Sequence, residues 1–495
     1  MALHLYNTLS GRIEEFQPLD PRLVRMYACG PTVYDYGHIG NFRTFVAVDL
    51  LSRFLRQSGH PVRYVMNITD VDDKIIRNAA RDGVTVQQYT AKYYKAFIED
   101  SALLNIRKPE AMPHATDYIA AMGKFVSDLE SKGFAYRTED GSYYFRIAKF
   151  KGYGKLSKKD FEGMTDGARV DVDEYEKDSA RDFALWKAPK PGEASWDTVI
   201  GPGRPGWHLE CSVMAMDTQG ETLDIHAGGE DLAFPHHENE IAQSEAATGK
   251  PFAHFWMHAR FLLVEGEKMS KSLGNFYTPR DLILKGYKPS SIRYLLASVP
   301  YRNQLNFTFD GLRQAATSVE RLRNFRQRLT ESTFAEGAHS ELQKVATDAA
   351  ARMKAALDDD LNTAQAQAAI FEMVRAANIA MDAGQMNKPD VAPFLAALEK
   401  FDEIFAVLHD DDIPKMQQIL EWAKTESREK DISPELLALA GNSGPSDQDV
   451  NAKITEMEQA RKAKNFAASD KLRAELASAG ILVEITKDGI RWRRR

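Results

Sequence analysis

The segment HIGN carries two side chains that could bind phosphate. His38 and Asn41 lie three positions apart in it, at the start of a predicted helix. Imidazole and carboxamide groups beside the unbonded N–H groups of a helix N-terminus suit the phosphates of a nucleotide. Four residues alone are weak evidence, since Asn41 could simply cap the helix.

A second segment, EGEKMSKSLGN at residues 265–275, offers two lysines to a polyanion. Lys268 and Lys271 lie between Gly266 and Gly274, so the loop can carry them onto phosphates and release them again. Two nearby lysines are usually no more than a solvated charged loop. A KMSKS segment that follows an HIGN segment is far more specific, and together they indicate a nucleotide site.

The chain has two cysteines, Cys29 and Cys211, which are too few for a disulfide scaffold. They are either small buried hydrophobic residues or chemically employed. The segment FPHHENEI predicts a helix whose first histidine would share one face with Glu240. Thiols, an imidazole and a carboxylate are ligands that Zn²⁺ accepts. The spacing matches neither a zinc finger nor an HExxH motif, so the residues themselves leave His236 and His237 as competitors.

A folded chain of several domains must position these groups. The 495 residues correspond to about three domains at about 150 residues each. Charged residues make up 27% and hydrophobic residues 43%, which argues against a disordered chain and against a membrane protein. The net charge of -7 argues against indiscriminate nucleic-acid binding but leaves room for a local basic patch. With no signal-peptide pattern and no apolar run of about 18 residues, we expect a cytoplasmic protein.

The first 70 or so residues predict the start of a parallel sheet. A strand-like run at 25–28 leads into the HIGN loop, a helical period begins at Phe42 and is stopped by Gly59 and Pro61, and a second strand follows at 62–68. This βαβ order predicts an α/β fold with a Rossmann-like, doubly wound parallel sheet. Because such sheets bind ligands at the carboxyl ends of their strands, Cys29 and the HIGN loop lie at the expected site.

The rest of the chain predicts an insertion, a helical bundle and a small α+β module. The insertion contains a hairpin around Asp140 and Gly141, and strand signals return at 223–226 and 261–264. The module comprises one helix at about 452–477 and a hairpin that turns at Lys487, Asp488 and Gly489. The two halves of the Rossmann-like catalytic domain are expected at 1–110 and 196–310, with the connective insertion between them at 111–195. The helical bundle is expected at 311–440, and the linker with the small module at 441–495.

Five segments of the chain resemble the cysteinyl-tRNA synthetase family of class I, and they occur in the same order. They are MYACGPTVYDYGHIGN, NITDVDDKI, GRPGWHLECS, FPHHENEIAQS and KMSKSLGNF. The resemblance covers almost the whole chain, including the helical bundle and the small C-terminal module. In one departure, Asn41 stands where the first motif of class I synthetases normally ends in His.

The resemblance implies one Zn²⁺ ion held by Cys29, Cys211, His236 and Glu240. Such an ion would select cysteine over serine, because a soft metal prefers a thiolate to a hydroxyl. A contact that the wrong substrate cannot make discriminates by roughly 10⁴ or more, so the insertion need not be an editing domain.

Further roles follow from the same resemblance. The groups that would stabilise charge on the phosphates, together with Mg²⁺, are His38, Asn41, Lys268 and Lys271. The groups that would line the substrate and ATP pocket are Thr32, Tyr34, Trp207, Gly228, Gly229 and Asp231. Asp231 would bind either the amine of the substrate or the ribose hydroxyls. The groups expected to contact tRNA are Arg491, Trp492 and Arg493.

The implied activity is ATP-dependent activation of L-cysteine and its transfer to the 3′ end of tRNA(Cys), by a chain expected to be a monomer. One alternative is the paralogous ligase that joins cysteine to an amino sugar in mycothiol synthesis. That paralogue lacks the C-terminal module, so the last 45 or so residues disfavour it. Another alternative is a catalytically inactive RNA-binding relative, against which the intact KMSKS segment and the complete set of metal ligands count.

Overall fold

The computed structural model describes residues 2–158, 181–190, 193–337, 340–441, 447–486 and 489–494. The strands in chain order are β1 (His4–Asn7), β2 (Arg12–Glu15), β3 (Val24–Ala28), β4 (Val62–Met66), β5 (Ala135–Arg137), β6 (Tyr143–Phe145), β7 (Phe183–Lys187), β8 (Arg204–Pro205), β9 (Leu223–Gly229), β10 (Ala253–Ala259), β11 (Leu263–Val264), β12 (Glu267–Lys268), β13 (Asn306–Phe307), β14 (Ile481–Thr486) and β15 (Gly489–Arg494).

The α-helices in chain order are α1 (Ile39–Gln57), α2 (Asp73–Asp82), α3 (Val86–Leu103), α4 (Ile119–Ser131), α5 (Trp207–Gln219), α6 (His236–Thr248), α7 (Pro279–Leu284), α8 (Pro289–Ala297), α9 (Phe309–Glu331), α10 (Ser340–Asp358), α11 (Thr363–Asp382), α12 (Lys388–Phe405), α13 (Asp412–Thr425), α14 (Pro434–Leu436), α15 (Asp447–Lys462) and α16 (Phe466–Ser478). Within the described ranges, no helix combines the length and apolarity that crossing a bilayer requires.

A four-stranded parallel sheet with the order β10-β9-β3-β4 lies at the centre of the N-terminal half. Met26 of β3 pairs with Ile225 of β9 on one side and with Tyr64 of β4 on the other. The chain proceeds from β3 to β4 on one side and later returns to β9 on the other, so the switch point lies between β3 and β9. The predicted doubly wound parallel sheet is confirmed.

Both faces of this sheet are covered. Met26 and Ala28 point toward α1 and the main core, whereas Tyr27 points to the other face, where Cys211 of α5 and Ile241 of α6 pack. This division follows from the alternation of side chains along a strand. A strand buried on both faces carries no alternating polarity. That is why β10, with the sequence AHFWMHA, was not among the predicted strands.

The insertion builds its own antiparallel sheet, with the order β5-β6-β7-β8. The predicted hairpin around Asp140 and Gly141 joins β5 to β6, where Arg137 pairs with Tyr143. The last strand of this sheet, β8, lies beyond residue 195 in the chain. The sheet packs with α4 and α5 around Trp186. Residues 159–180 of the insertion lie outside the described part of the chain.

Helices α9 to α13 continue the main core, whereas the C-terminal module has a separate one. The prediction of a single helix at 452–477 is wrong, because α15 ends at Lys462 and α16 begins at Phe466. Lys464 between them has a φ of 57°, which stops a right-handed helix. Asn465 then caps α16 by accepting a hydrogen bond from the N–H of Ala468. The predicted turn residues Lys487 and Asp488 lie outside the described residues.

Candidate functional site

The switch point of the parallel sheet brings together the predicted metal ligands. Cys29 follows β3 directly, and its N–H donates to the carbonyl of Ala227 in β9 at 3.1 Å. Cys211 is on α5, and His236 and Glu240 are one turn apart on α6. Both helices pack on the face of the sheet toward which Cys29 points. Carboxyl ends of parallel strands at a switch point are the usual ligand site of such folds.

Four side chains form a buried cluster there. One ligand atom from each of Cys29, Cys211, His236 and Glu240 lies within 4.8 Å of every other. The two Sγ atoms are 3.7 Å apart, Cys29 Sγ is 3.6 Å from Glu240 Oε1, and His236 Nε2 is 3.0 Å from that same oxygen. Two thiolates on a tetrahedral zinc, each about 2.3 Å from it, lie about 3.75 Å apart. The cluster therefore fits a tetrahedral metal of this kind.

A second set, Cys29, His226, His237 and Glu240, also lies within 4.8 Å. It contains only one of the two cysteines, and its His226 Nε2 and Glu240 Oε2 are 2.8 Å apart. His237 turns its Nδ1 to another imidazole at 2.8 Å. The set with both cysteines favours His236, and the choice between His236 and His237 stays a prediction. His226 and His237 support the cluster from outside it.

Three histidines near the cluster were absent from the sequence prediction. His208 Nδ1 lies 3.0 Å from His236 Nδ1, so it can accept a hydrogen bond from a His236 ring that ligates a metal through Nε2. His226 contacts Glu240, and His258 contacts His237. For His226 in β9 and His258 in β10, the available signal was an imidazole within an apolar strand, since a buried polar group needs a partner.

The electrostatics of the cluster favour a cation. Burial raises the pKa of the Cys29 thiol, whereas its hydrogen bond to Cys211 lowers the pKa of Cys211 to about 6. Although burial opposes ionisation, His226 and His236 hold the pKa of Glu240 well below its usual value. Burial also disfavours a charged His236, yet Glu240 and Cys211 raise its pKa to about 10. A metal that binds here therefore displaces a proton from His236.

The HIGN segment begins α1 with a reciprocal cap. His38 is the N-cap residue, its Nδ1 accepts from the N–H of Asn41 at 3.1 Å, and Asn41 Oδ1 accepts from the N–H of His38 at 3.0 Å. Asn41 therefore takes part in the cap together with His38, and its contact with phosphate stays a prediction. Burial lowers the pKa of His38 to about 4. The ring is therefore neutral at pH 7, and because Nδ1 accepts, its proton is on Nε2.

The KMSKS loop lies directly against the HIGN segment. A two-residue turn with positive φ at Glu265 and Gly266 joins β11 to β12, as tight hairpins require. Lys271 Nζ lies 2.5 Å from Asp35 Oδ2, and a Cβ added at Gly40 would come within 3.1 Å of the Met269 side chain. The side chain of Lys268, at the end of β12, is exposed. The structure thus brings the HIGN and KMSKS segments together.

Two of the predicted pocket residues, Trp207 and Gly228, lie against histidines of α6. The Trp207 ring is 39% exposed and lies 4.3 Å from the His236 ring, at the start of the helix that carries Cys211. A Cβ at Gly228 would lie 2.8 Å from the His237 ring. A Cβ at Gly229 would lie 2.4 Å from Asp231 Oδ1, the end of an exposed side chain that can move, so the need for glycine is stronger at Gly228, which faces a buried ring.

Thr32 and Tyr34 lie between Cys29 and the HIGN segment. Thr32 forms a parallel bridge with Thr69, and the carbonyl of Tyr34 accepts from the Tyr89 hydroxyl at 2.8 Å. Both side chains are partly buried. Their contacts with substrate stay predictions, as does the ligand of Asp231, whose side chain is exposed.

The residues expected to contact tRNA lie where the C-terminal module meets α9. Arg491 donates to Ser332 Oγ at 2.7 Å, and the carbonyl of Trp492 accepts from the side chain of Gln327 at 3.3 Å. The Trp492 indole donates to Asn451 Oδ1 at 2.8 Å and is partly buried against the core of the module. The side chain of Arg493 lies outside the described part. Arg491 and Trp492 therefore dock the module, and their contact with tRNA stays a prediction.

Comparisons with known proteins agree along the whole chain. Residues 15–317 match the tRNA synthetases class I (C) catalytic domain, residues 352–409 a DALR domain, and residues 446–493 the cysteinyl-tRNA ligase anticodon binding domain. The chain is 66% identical to a cysteine–tRNA ligase of Koribacter versatilis, with 100% of both chains covered. It is 54% identical to one of Solibacter usitatus, again with 100% of both chains covered.

A solved structure supports the fold alone. It is methionyl-tRNA synthetase of Mycobacterium tuberculosis with methionyl-adenylate, which is 16% identical to this chain. The TM-score is 0.55, and the match covers 86% of this chain and 95% of that one.

Proposed function

Because the chain belongs to the cysteinyl-tRNA synthetase family of class I, we propose that it joins L-cysteine to tRNA(Cys) with ATP, in two steps at one site. The observation that carries this proposal is the position of the buried Cys29, Cys211, His236 and Glu240 cluster. It lies at the switch point of the sheet, at the strand end that leads into the HIGN segment. A metal cluster that can bind the substrate thiol therefore lies next to a segment that can bind the phosphates of ATP.

In the first step, the carboxylate of cysteine attacks the α-phosphate of ATP, and pyrophosphate leaves. The Nε2–H of the neutral His38 and the carboxamide of Asn41 donate to the phosphates, while Lys268 and Lys271 neutralise the charge that grows on the leaving group. ATP is expected to bring Mg²⁺ with it. Catalysis by these groups consists of positioning and electrostatic stabilisation, and no covalent enzyme intermediate is needed.

The metal cluster selects the amino acid. Zn²⁺ bound to the four side chains would supply a soft Lewis acid that favours a thiolate over a hydroxyl. Trp207 beside His236 walls the pocket. Gly228 and Gly229 leave room for close backbone approach, and at Gly228 a Cβ would collide with the buried His237 ring.

In the second step, a hydroxyl of the 3′-terminal adenosine of the tRNA attacks the adenylate, and the 2′-hydroxyl is the nucleophile expected in this class. The match to an anticodon binding domain at residues 446–493 favours tRNA as acceptor over an amino sugar. The complete metal cluster and KMSKS segment disfavour an inactive relative. We further propose a cytoplasmic monomer with the five domain ranges predicted above, except that the insertion extends past residue 195 to include β8.

Metal analysis and two activity assays on the purified chain test this function. We expect one zinc per chain, cysteine-dependent ATP–pyrophosphate exchange, and charging of a tRNA(Cys) transcript. Serine in place of cysteine is the matched control, and it should give roughly 10⁴-fold less exchange. Exchange without charging would favour the amino-sugar ligase, and the absence of exchange would refute both ligase functions.

A further inference from the structure

A row of hydrogen bonds leads from the metal cluster to the first hairpin of the chain. Cys29 Sγ lies 3.2 Å from His237 Nε2, and His237 Nδ1 lies 2.8 Å from His258 Nε2. His258 Nδ1 in turn lies 2.8 Å from the Thr8 hydroxyl oxygen. Thr8 has no part in the reaction described above. We call these four groups, Cys29, His237, His258 and Thr8, the relay.

The chemistry of Cys29 determines the direction of every bond in the relay. Both rings are buried, which disfavours a charged imidazole, and two ring nitrogens at 2.8 Å share a single proton, so the relay holds His237 and His258 as neutral rings. A Cys29 thiolate that ligates a metal has no proton and can only accept. His237 must then donate from Nε2 and accept at Nδ1, and His258 must do the same. The row can begin only with a donor, and that donor is the Thr8 hydroxyl.

The surrounding structure holds Thr8 in place. Its backbone N–H donates to the carbonyl of Trp256 in β10 at 2.9 Å. The neighbouring Asn7 accepts from the N–H of Trp256 at 3.1 Å and donates to the carbonyl of His254 at 2.9 Å. The hairpin of β1 and β2 is therefore fixed to the strand that carries His258. These contacts hold the Thr8 hydroxyl next to His258 and favour a hydrogen-bonding role for Thr8 over a role in apolar packing.

We propose that Thr8 is a positioning residue of the metal centre. Its hydroxyl fixes the tautomers of His258 and His237, so that His237 donates a hydrogen bond to the metal-bound thiolate of Cys29. The inference rests on the proposed zinc site. Hydrogen bonds from outside the ligand set orient a ligand and tune its charge, and their loss typically weakens metal affinity about 10–100-fold.

A pair of substitutions in the full-length chain separates this role from packing. Thr8→Val keeps the shape and removes the donor, whereas Thr8→Ser keeps the donor and removes the methyl group. We expect the zinc affinity of Thr8→Val, measured by competition with a chelator, to be about tenfold or more lower than that of the parent. The zinc affinity of Thr8→Ser should match the parent. A loss of zinc affinity in Thr8→Ser but not in Thr8→Val would indicate that Thr8 acts through the packing of its methyl group. Equal affinity in all three proteins would also overturn the proposal.

Imidazole ¹⁵N NMR of the zinc-loaded parent provides a second test that needs no variant. Both His237 and His258 should be neutral with the proton on Nε2. A proton on Nδ1 of either ring would reverse the row and refute the role of Thr8. Cysteine-dependent exchange by the parent is measured separately, so a failure of the proposed activity is distinguishable from a failure of the relay. A parent chain that binds no zinc would refute the relay and the zinc site together.

Discussion

At the scale of single residues, Cys211 makes the metal cluster testable. Replacing Cys211 by Ser removes a thiolate that lies 3.7 Å from Cys29 Sγ. We expect a lower zinc content and a KM for cysteine raised by orders of magnitude, because the substrate thiolate loses its partner. Metal analysis and pyrophosphate exchange measure both. Met216→Leu on the same helix is a control that conserves volume, and full zinc occupancy with unchanged KM in Cys211→Ser would refute the assignment.

Asn41 has two functions that substitution can separate. Its Oδ1 caps α1, and its amide is available to phosphate. Asn41→Ala should cost about 1 kcal/mol in the free energy of unfolding and slow adenylate formation about tenfold or more. Asn41→Asp keeps the acceptor that caps α1 but removes the donor to phosphate. It should therefore be as stable as the parent, but its adenylate formation should be as slow as that of Asn41→Ala.

Asn41→His should be close to the parent in rate, because an imidazole can also donate to phosphate. Denaturant unfolding and single-turnover adenylate formation measure the two effects in all three variants. An Asn41→Ala enzyme that activates cysteine as fast as the parent would show that the residue only caps the helix.

The neutral state of His38 predicts a flat pH dependence. Since burial lowers its pKa to about 4, the ring does not titrate between about pH 5.5 and 8. The ratio of exchange rates between the parent and His38→Asn should therefore stay constant over that range. A ratio that changes with a pKa near 6.5 would contradict a neutral donor.

The same pKa shift sets the sign of a stability effect. The unfolded chain binds a proton at His38 below about pH 6.5, whereas the folded chain does so only below about pH 4. As the pH falls from about 6.5 to about 4, His38 therefore lowers the free energy of unfolding. Above about pH 6.5, His38 has no such effect on stability.

At the scale of elements, the KMSKS loop is held by an exposed ion pair. The side chains of Lys271 and Asp35 are 65% and 34% exposed, and such pairs contribute about 0–1 kcal/mol. ATP must compete with Asp35 for this lysine. Asp35→Asn should therefore lower the KM for ATP by up to about fivefold, and Asp35→Glu should not. In a Lys271→Ala background the effect of Asp35→Asn should disappear, and its persistence would mean that Asp35 acts on ATP by another route.

At the scale of the whole molecule, activation and tRNA recognition should separate. The core of the C-terminal module is distinct from the main core, so removing the module leaves the catalytic domain packed. A chain that ends after Pro445 should keep nearly full pyrophosphate exchange, whereas its tRNA charging should drop steeply and its tRNA affinity should lose part of its salt dependence.

Arg491→Ala in the full-length chain is the matched point variant, because it removes a contact between the module and α9 without removing the module. If the truncated chain charges tRNA as well as the full chain, the module does not read the anticodon.

Local signals in the sequence were sufficient for much of the fold. The period of α1, the strands on either side of it, the hairpin around Asp140 and the helical bundle depend on contacts between residues close in the chain. The break near Lys464 was missed, because a single residue with positive φ leaves no mark on the helical period. The order of the motifs and their resemblance to a known family supplied the expected ligands and phosphate-binding residues.

Tertiary structure alone decided which side chains meet. Cys29 and Cys211 are 182 positions apart, and the order of the strands, which local periodicity does not encode, brings them to 3.7 Å. The residues left His236 and His237 as equals, and only the packing of α6 distinguishes the ring that faces Cys211 from the ring that faces His258. Thr8 lies far from every motif in the chain. Its place at the end of the relay follows from the contact of the first hairpin with β10, which no local pattern in the sequence specifies.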